Sequence, residues 1–225
     1  MIEAKKEVLV AIPAYNAGQM LTTVLEGVSR QVERAQILVI DDGSTDDTRR
    51  HAESYGVKVQ THQKNLGKGA ALKTAFAYVL QKTNAHAVIS LDADGQHAPE
   101  YIPDFIKAFA EDQNDLVIGA REFSVKVMPF FRVLSNKMTS KLLSWKTGEQ
   151  IKDSQSGYRA YSRRLIANLQ LKTNGYETES EILLQACRAR MKIAFVPIAT
   201  IYRGETSHIH GLREILRFTK LYLNS

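Results

Sequence analysis

The residues best suited to chemistry are Asp92 and Asp94, two carboxylates spaced i, i+2 after the apolar run Ala87-Val88-Ile89-Ser90-Leu91 and followed at once by Gln96 and His97. Alternate side chains of an extended chain point the same way, so this spacing aims both carboxylates at one point. Hard oxygen ligands select a small divalent cation such as Mg²⁺ or Mn²⁺, which keeps positions open that phosphate oxygens can fill. Acidic pairs also close many strands as ordinary turn formers, so the pair gains meaning only from its company.

That company is a recurring pattern. Residues 8–12 run into Pro13-Ala14-Tyr15-Asn16, residues 37–40 into Asp41-Asp42-Gly43-Ser44, and residues 115–118 into Gly119-Ala120-Arg121. Each is a short β-branched run stopped by polar or turn residues. Helix-like segments lie between them, over 18–32, 45–55, 69–82 and 98–111. This alternation predicts an α/β fold, a mainly parallel sheet with helices on both faces. Ligands of open α/β sheets bind outside the carboxyl ends of the strands, so the four polar strand ends are expected to line one site.

Ser44 or Thr45 is expected to cap the second helix, with Asp46 and Asp47 in a first turn where the helix dipole favours negative charge. Asp41 and Asp42 precede that cap and leave a buried strand directly, which assigns them to nucleotide binding. In the loop 64–69, Lys68 and the backbone donors are placed to meet an anion, although a plain surface loop explains them equally well. It is not a Walker A sequence. Glu177, Glu179 and Glu181 open a helix-like run over 179–191, and the dipole accounts for them.

With 225 residues, 44% of them apolar, the chain suits one enzyme-sized domain. A lone Cys187 excludes an internal disulfide. Met1 to Lys6 is not followed by the apolar h-region of a secretory signal and no window approaches a membrane span, so the expected location is cytoplasmic, with any membrane contact peripheral. The net charge is +6 and the isoelectric point about 9.3. The basic excess lies over 126–146 and 203–220, with no helix-turn-helix, zinc-finger or RNA-binding aromatic signature, which argues against a nucleic-acid partner.

The ordered set IPAYNAG, VIDDGSTDDT, NLGKGAA, LDADGQH, GAR, DSQSGYRAY and YRGETSHI resembles glycosyltransferase family 2, with its GT-A nucleotide-diphosphosugar transferase fold. Within that family it looks most like the dolichyl-phosphate mannosyltransferase and polyprenyl-phosphate glycosyltransferase branch, over roughly 6–218. The resemblance implies that Pro13, Tyr15, Asn16, Asp41, Asp42, Lys68, Asp92, Ala93, Gln155, Ser207 and His208 hold the nucleotide sugar. It implies Mn²⁺ or Mg²⁺ on Asp92, Asp94 and Gln96, and catalytic roles for Asp94, Arg121, Arg132, Asp153 and Arg203. It also implies a nucleotide and metal half, 1–122, and an acceptor half, 123–225. The acidic residue that many relatives carry near Tyr15-Asn16 is missing, which leaves the donor base open between GDP and UDP.

Negative charge grows on the leaving phosphate as the sugar departs, and a cation held by Asp92 and Asp94 stabilises it. A hydroxyl acceptor would need a carboxylate base. A lipid phosphate is already an anionic nucleophile and needs only cationic groups to position it, which Arg121, Arg132, Arg203 and His208 supply. Asp153 and Gln155 are expected to contact sugar hydroxyls, and the run 203–210 to close over the donor. The expected activity is inverting transfer of a hexose from GDP-mannose or a UDP-sugar to a polyprenyl or dolichyl phosphate. The alternatives are a family 2 transferase acting on a saccharide hydroxyl and a sugar-phosphate nucleotidyltransferase. The latter needs a basic glycine-rich loop near the start, whereas residues 13–18 carry no Lys or Arg. Phe130, Phe131, Met138 and Trp145, interleaved with Lys and Arg over 125–145, suit an interfacial segment among lipid headgroups. A second such face joins Leu212, Ile215, Leu216 and Thr219 opposite Arg213, Arg217 and Lys220.

Overall fold

Strand parity organises the molecule. In β1 (Val8–Ala14), Val8, Val10 and Ile12 enter one core while Leu9 and Ala11 enter another; β2 (Ile37–Asp41) repeats this with Ile37 and Val39 against Leu38 and Ile40. Strands buried on both faces need helices on both sides. The computed structural model describes residues 7–122, 130–201 and 211–224 and shows that arrangement.

The other strands are β3 (Lys58–Thr61), β4 (Ala87–Ser90), β5 (Leu116–Arg121), β6 (Arg159–Ser162) and β7 (Ile193–Ile198). Together they form a seven-stranded sheet in the order β3-β2-β1-β4-β6-β5-β7. β6 runs antiparallel between β4 and β5, and all other pairs are parallel. The reversal has a functional consequence. It brings the segment preceding β6 to the same edge as the carboxyl ends of β1, β2, β4 and β5.

Helices α1 (Gly18–Ser29), α2 (Thr48–Tyr55) and α4 (Ile102–Asp112) cover the first core. The second is covered by α3 (Lys68–Lys82), α5 (Phe130–Thr147), α6 (Arg163–Asn168), α7 (Thr178–Arg188) and α8 (Gly211–Asn224). The cap expected at Ser44 or Thr45 is displaced. α2 starts at Thr48, whose N–H donates to Asp46 Oδ1 at 3.0 Å, while Ser44 and Thr45 turn toward Asn16. Gly56, in the left-handed conformation at φ 77°, ends this helix.

α5 turns an unusual pair of faces. Val133, Asn136, Ser140 and Leu143 are buried, whereas Leu134, Met138, Leu142 and Trp145 are exposed, Trp145 by 82%. The outward face therefore mixes large apolar side chains with Lys137 and Lys141.

Candidate active site

Two loops at the strand edge are splinted together. Asn16, in the left-handed region at φ 49°, donates its N–H to Ser44 Oγ at 3.0 Å and accepts the Thr45 N–H on Oδ1 at 2.8 Å. Thr48 Oγ1 accepts the N–H groups of Ala17 and Gly18 at 2.8 and 2.9 Å. Tyr15 stands half exposed on this rim, and Pro13 is buried in β1 opposite Ile40. Asp41 Oδ1 accepts the Ser44 N–H at 3.0 Å, closing its own turn.

Asp42 departs from its expected role. Its Oδ1 accepts the Leu66 N–H at 3.0 Å and its Oδ2 the Gly67 N–H at 2.8 Å, with His62 Nδ1 2.6 Å from Oδ1. A buried carboxylate with both oxygens committed to a neighbouring loop builds the wall of a site and does not reach into it. Gly67 is needed there: its φ is 99°, and a Cβ would stand 2.5 Å from the Asn174 carbonyl oxygen.

Asp92 and Asp94 are brought together by a turn and not by strand alternation, because β4 stops at Ser90. Asp94 Oδ1 accepts the Gln96 N–H at 2.9 Å across Gly95, whose φ is 71°, and Ala93 is buried beneath. The two carboxylates still share one field. Burial pushes the Asp94 carboxyl up, and the negative charge of Asp92 pushes it further. The Asp92 N–H donates to His97 Nδ1 at 3.1 Å, so that nitrogen is an acceptor. Burial lowers the His97 pKa and favours the neutral ring this bond requires.

Lys68 does not face an open anion site as expected; it lies between two carboxylates. Its Nζ is 2.6 Å from Asp92 Oδ1 and 3.0 Å from Glu179 Oε1, in the first turn of α7. Burial by itself would lower the ammonium's pKa, but the two carboxylates raise it well above the ordinary lysine value. Burial likewise raises Asp92, and Lys68 more than reverses it. Gly157 makes room for this pair, since a Cβ there would be 2.4 Å from Lys68 Nζ and 2.6 Å from Asp92 Oδ2.

Asp153 also takes a different part from the expected one. It is wholly buried, and its oxygens accept Arg121 Nε at 2.7 Å, Arg121 Nη2 at 3.0 Å, Asn136 Nδ2 at 2.8 Å and the Gln155 N–H at 3.1 Å. A carboxylate so saturated orients Arg121 and has no lone pair directed at a sugar. The Arg121 guanidinium is itself drawn by the charges of Glu179 and Asp92, so both ion-pair groups occupy one region. Gln155 is exposed, with Nε2 3.2 Å from Thr139 Oγ1. The Arg132 side chain, Arg203, Ser207 and His208 lie outside the described residues.

The donor chemistry fits a divalent cation in part. Among the described residues no cluster of three or more His, Cys, Asp or Glu groups surrounds a cation position. Asp92 and Asp94 supply two hard carboxylates whose mutual repulsion a cation would relieve, with phosphate and water completing its shell.

Strand-end carboxylates on a mainly parallel sheet describe many nucleotide-handling proteins; the family model decides among them. The glycosyl transferase family 2 model matches residues 9–169, more than half of the chain. The chain belongs to that family. This family 2 member is 32% identical over 245 residues to the UDP-N-acetylglucosamine–dolichyl-phosphate N-acetylglucosaminyltransferase of Methanococcus voltae, covering 97% of this chain and 95% of that protein. It is 29% identical over 209 residues to the polyprenol monophosphomannose synthase of Mycolicibacterium smegmatis, covering 88% of this chain and 78% of that protein. Glucosyl-3-phosphoglycerate synthase from Mycobacterium tuberculosis, solved with Mn²⁺, UDP and glucosyl-3-phosphoglycerate, superposes with a TM-score of 0.74 at 21% identity. That match covers 98% of this chain and 78% of that one, and it establishes the GT-A fold.

Sequence reasoning gave Glu179 only to the helix dipole and assigned no role to Gly157, Asn136 or Arg159. Arg159 carries a readable signal, a charge inside the short strand Arg159-Ala160-Tyr161-Ser162. It is fully buried and donates to the carbonyls of Ser156, Glu179 and Ser154, each at 2.7 Å, tying the segment before β6 to α7.

Proposed function

We propose that this family 2 chain is an inverting hexosyltransferase that moves a sugar from a nucleoside-diphosphate sugar to the phosphate of a polyprenyl or dolichyl lipid. One observation favours a phosphate over a hydroxyl acceptor. Asp42 and Asp153, buried carboxylates at the ends of their segments, have both oxygens taken by backbone N–H groups or by Arg121, and Glu179 is paired with Lys68. A hydroxyl would need one of them as a base, whereas a phosphate monoester arrives deprotonated. The activities of the relatives from Methanococcus voltae and Mycolicibacterium smegmatis point to the same acceptor class.

In this reading residues 1–122 bind the donor and 123–225 the acceptor. Pro13, Tyr15, Asn16 and Asp41 border the nucleotide position. Mn²⁺ or Mg²⁺, held by Asp92, Asp94 and Gln96, would supply positive charge to the leaving diphosphate. His97 fixes the Asp92 backbone through its unprotonated Nδ1. Arg121, held in one orientation by Asp153 and Asn136, places a guanidinium where an anionic nucleophile must approach another anion. A single in-line displacement inverts the anomeric carbon, and no proton has to be removed. The base remains GDP or UDP, with mannose or another hexose as cargo.

No helix among the described residues is long and apolar enough to cross a membrane. The outward face of α5, with its large apolar side chains beside exposed Lys137 and Lys141, suits peripheral attachment to an anionic surface, in this reading the cytoplasmic face. The test is release of nucleoside diphosphate from a panel of UDP- and GDP-sugars in Mn²⁺, with and without polyprenyl phosphate. Stimulation by the lipid phosphate with at least one donor is expected; stimulation by soluble saccharides alone would favour the hydroxyl-directed alternative.

A further inference from the structure

The position of Lys68 has a consequence for how the site is loaded. Its ammonium is buried, touches Asp92 and Glu179 at 2.6 and 3.0 Å, and is packed against the bare Cα of Gly157. A cation approaching Asp92 meets a positive charge already seated on Oδ1.

We propose that Lys68 is a built-in counter-cation, shared between Asp92 and Glu179, that competes with the divalent ion for Asp92 and makes cation binding depend on arrival of the donor diphosphate. The inference rests on the nucleotide-sugar reading above. Without donor, Lys68 neutralises Asp92 and leaves the divalent ion chiefly the carboxylate of Asp94. An incoming diphosphate changes the balance twice: its oxygens complete the cation's shell, and its charge gives the ammonium a further anionic partner that can take the place of Asp92. Glu179 is a positioning residue in this scheme. It draws Lys68 away from Asp92 and so sets how firmly the ammonium holds that carboxylate.

Sharing of one cation by two carboxylates predicts opposite effects from its two ends. Lys68→Met frees Asp92 and should tighten Mn²⁺ binding to the donor-free protein by about tenfold. Glu179→Gln leaves Asp92 as the sole carboxylate partner of Lys68 and should weaken that binding several-fold. Because Lys68→Met leaves Glu179 buried without its cation, the double variant Lys68→Met/Glu179→Gln is the control; it keeps the buried charges balanced and should also bind Mn²⁺ more tightly than the unaltered protein.

The experiment titrates the full chain with Mn²⁺, reading free Mn²⁺ by electron paramagnetic resonance, alone and with GDP or UDP. The unaltered protein should bind Mn²⁺ weakly alone and more tightly with one diphosphate, and Lys68→Met should narrow that gap. Single variants that shift donor-free affinity in the same direction, or a double variant no tighter than the unaltered protein, overturn the counter-cation role while leaving the transferase reading intact. An unaltered protein that takes up no Mn²⁺ with either diphosphate overturns both.

Discussion

At the scale of single residues, the molecule repeatedly solves one problem: how to keep a carboxylate charged where water is scarce. Asp42 uses backbone N–H groups, Asp153 a bidentate arginine, and Asp92 a lysine. Asp115 combines an arginine and a backbone N–H with a hydroxyl, accepting the Ser162 hydroxyl at 3.0 Å, Arg164 Nε at 2.9 Å and the Lys192 backbone N–H at 3.1 Å. Burial would raise its carboxyl, but these donors, the arginine foremost, hold it below the usual aspartate value. A carboxyl depressed in the folded state stabilises the fold above its unfolded pKa of about 3.9, and that contribution is lost as pH falls from there through the folded value. Asp115→Asn should therefore flatten the acid limb of a stability-versus-pH curve below about pH 4, measured by urea unfolding. An unchanged acid limb would show that the ionised form of Asp115 contributes nothing. Asp92 and Asp94 stood out in the sequence because other polar strand ends accompany them, and the structure shows that the two carboxylates share one field. The partners of Asp92 were not legible, because Lys68 and Glu179 reach it from distant parts of the chain. Asp42 was misread for a related reason: a polar residue leaving a buried strand faces either a ligand or the next loop, and sequence does not distinguish the two.

Among the elements, the four strands buried on both faces were readable as continuous apolar runs. β3 was not, since as an edge strand it is largely exposed and carries Lys58 and Gln60. β6 was missed because it has four residues, one of them an arginine whose guanidinium is satisfied only by carbonyls brought in by the fold. That loss mattered, for β6 is the reversal that carries 153–157 to the site. Between elements, Arg163 acts as a clamp at the end of α3. Its guanidinium donates to the carbonyls of Val79, Leu80, Thr83 and Ala85 at 2.9 to 3.2 Å, where a helix leaves acceptors unsatisfied. Arg163→Ala should cost about 2 kcal/mol in denaturant unfolding, because several partly buried carbonyls lose their donor together. A loss below a few tenths of a kcal/mol would mean that water replaces the guanidinium without penalty.

For the molecule as a whole, the proposed function sets donor binding at the carboxyl edge of the sheet and membrane contact on the outward faces of α5 and α8. α8 meets α5 at Tyr222, with Lys146 Nζ 4.5 Å over its ring, and Leu216 and Leu223 remain exposed on it as Leu142 and Trp145 do on α5. The sequence marked 125–145 as interfacial; the structure describes part of it and puts the exposed apolar side chains at 134, 138, 142 and 145. Replacing Leu142 and Trp145 with Ser should weaken binding to anionic vesicles and raise KM for long polyprenyl phosphates. Short soluble analogues should be used nearly as before. The unaltered protein's vesicle binding should fall with salt, since its charge component is screened over about 8 Å at physiological ionic strength. Equal losses with long and short acceptors would instead assign these side chains to the fold. The central claim is that the sugar is delivered to a phosphate, and the most direct measurement is mass spectrometry of the product formed from a nucleoside-diphosphate sugar, Mn²⁺ and a short polyprenyl phosphate. The account predicts a phosphodiester-linked glycosyl lipid of inverted anomeric configuration, absent with Asp94→Asn; a sugar joined to a saccharide hydroxyl, with the lipid phosphate recovered unchanged, would contradict it.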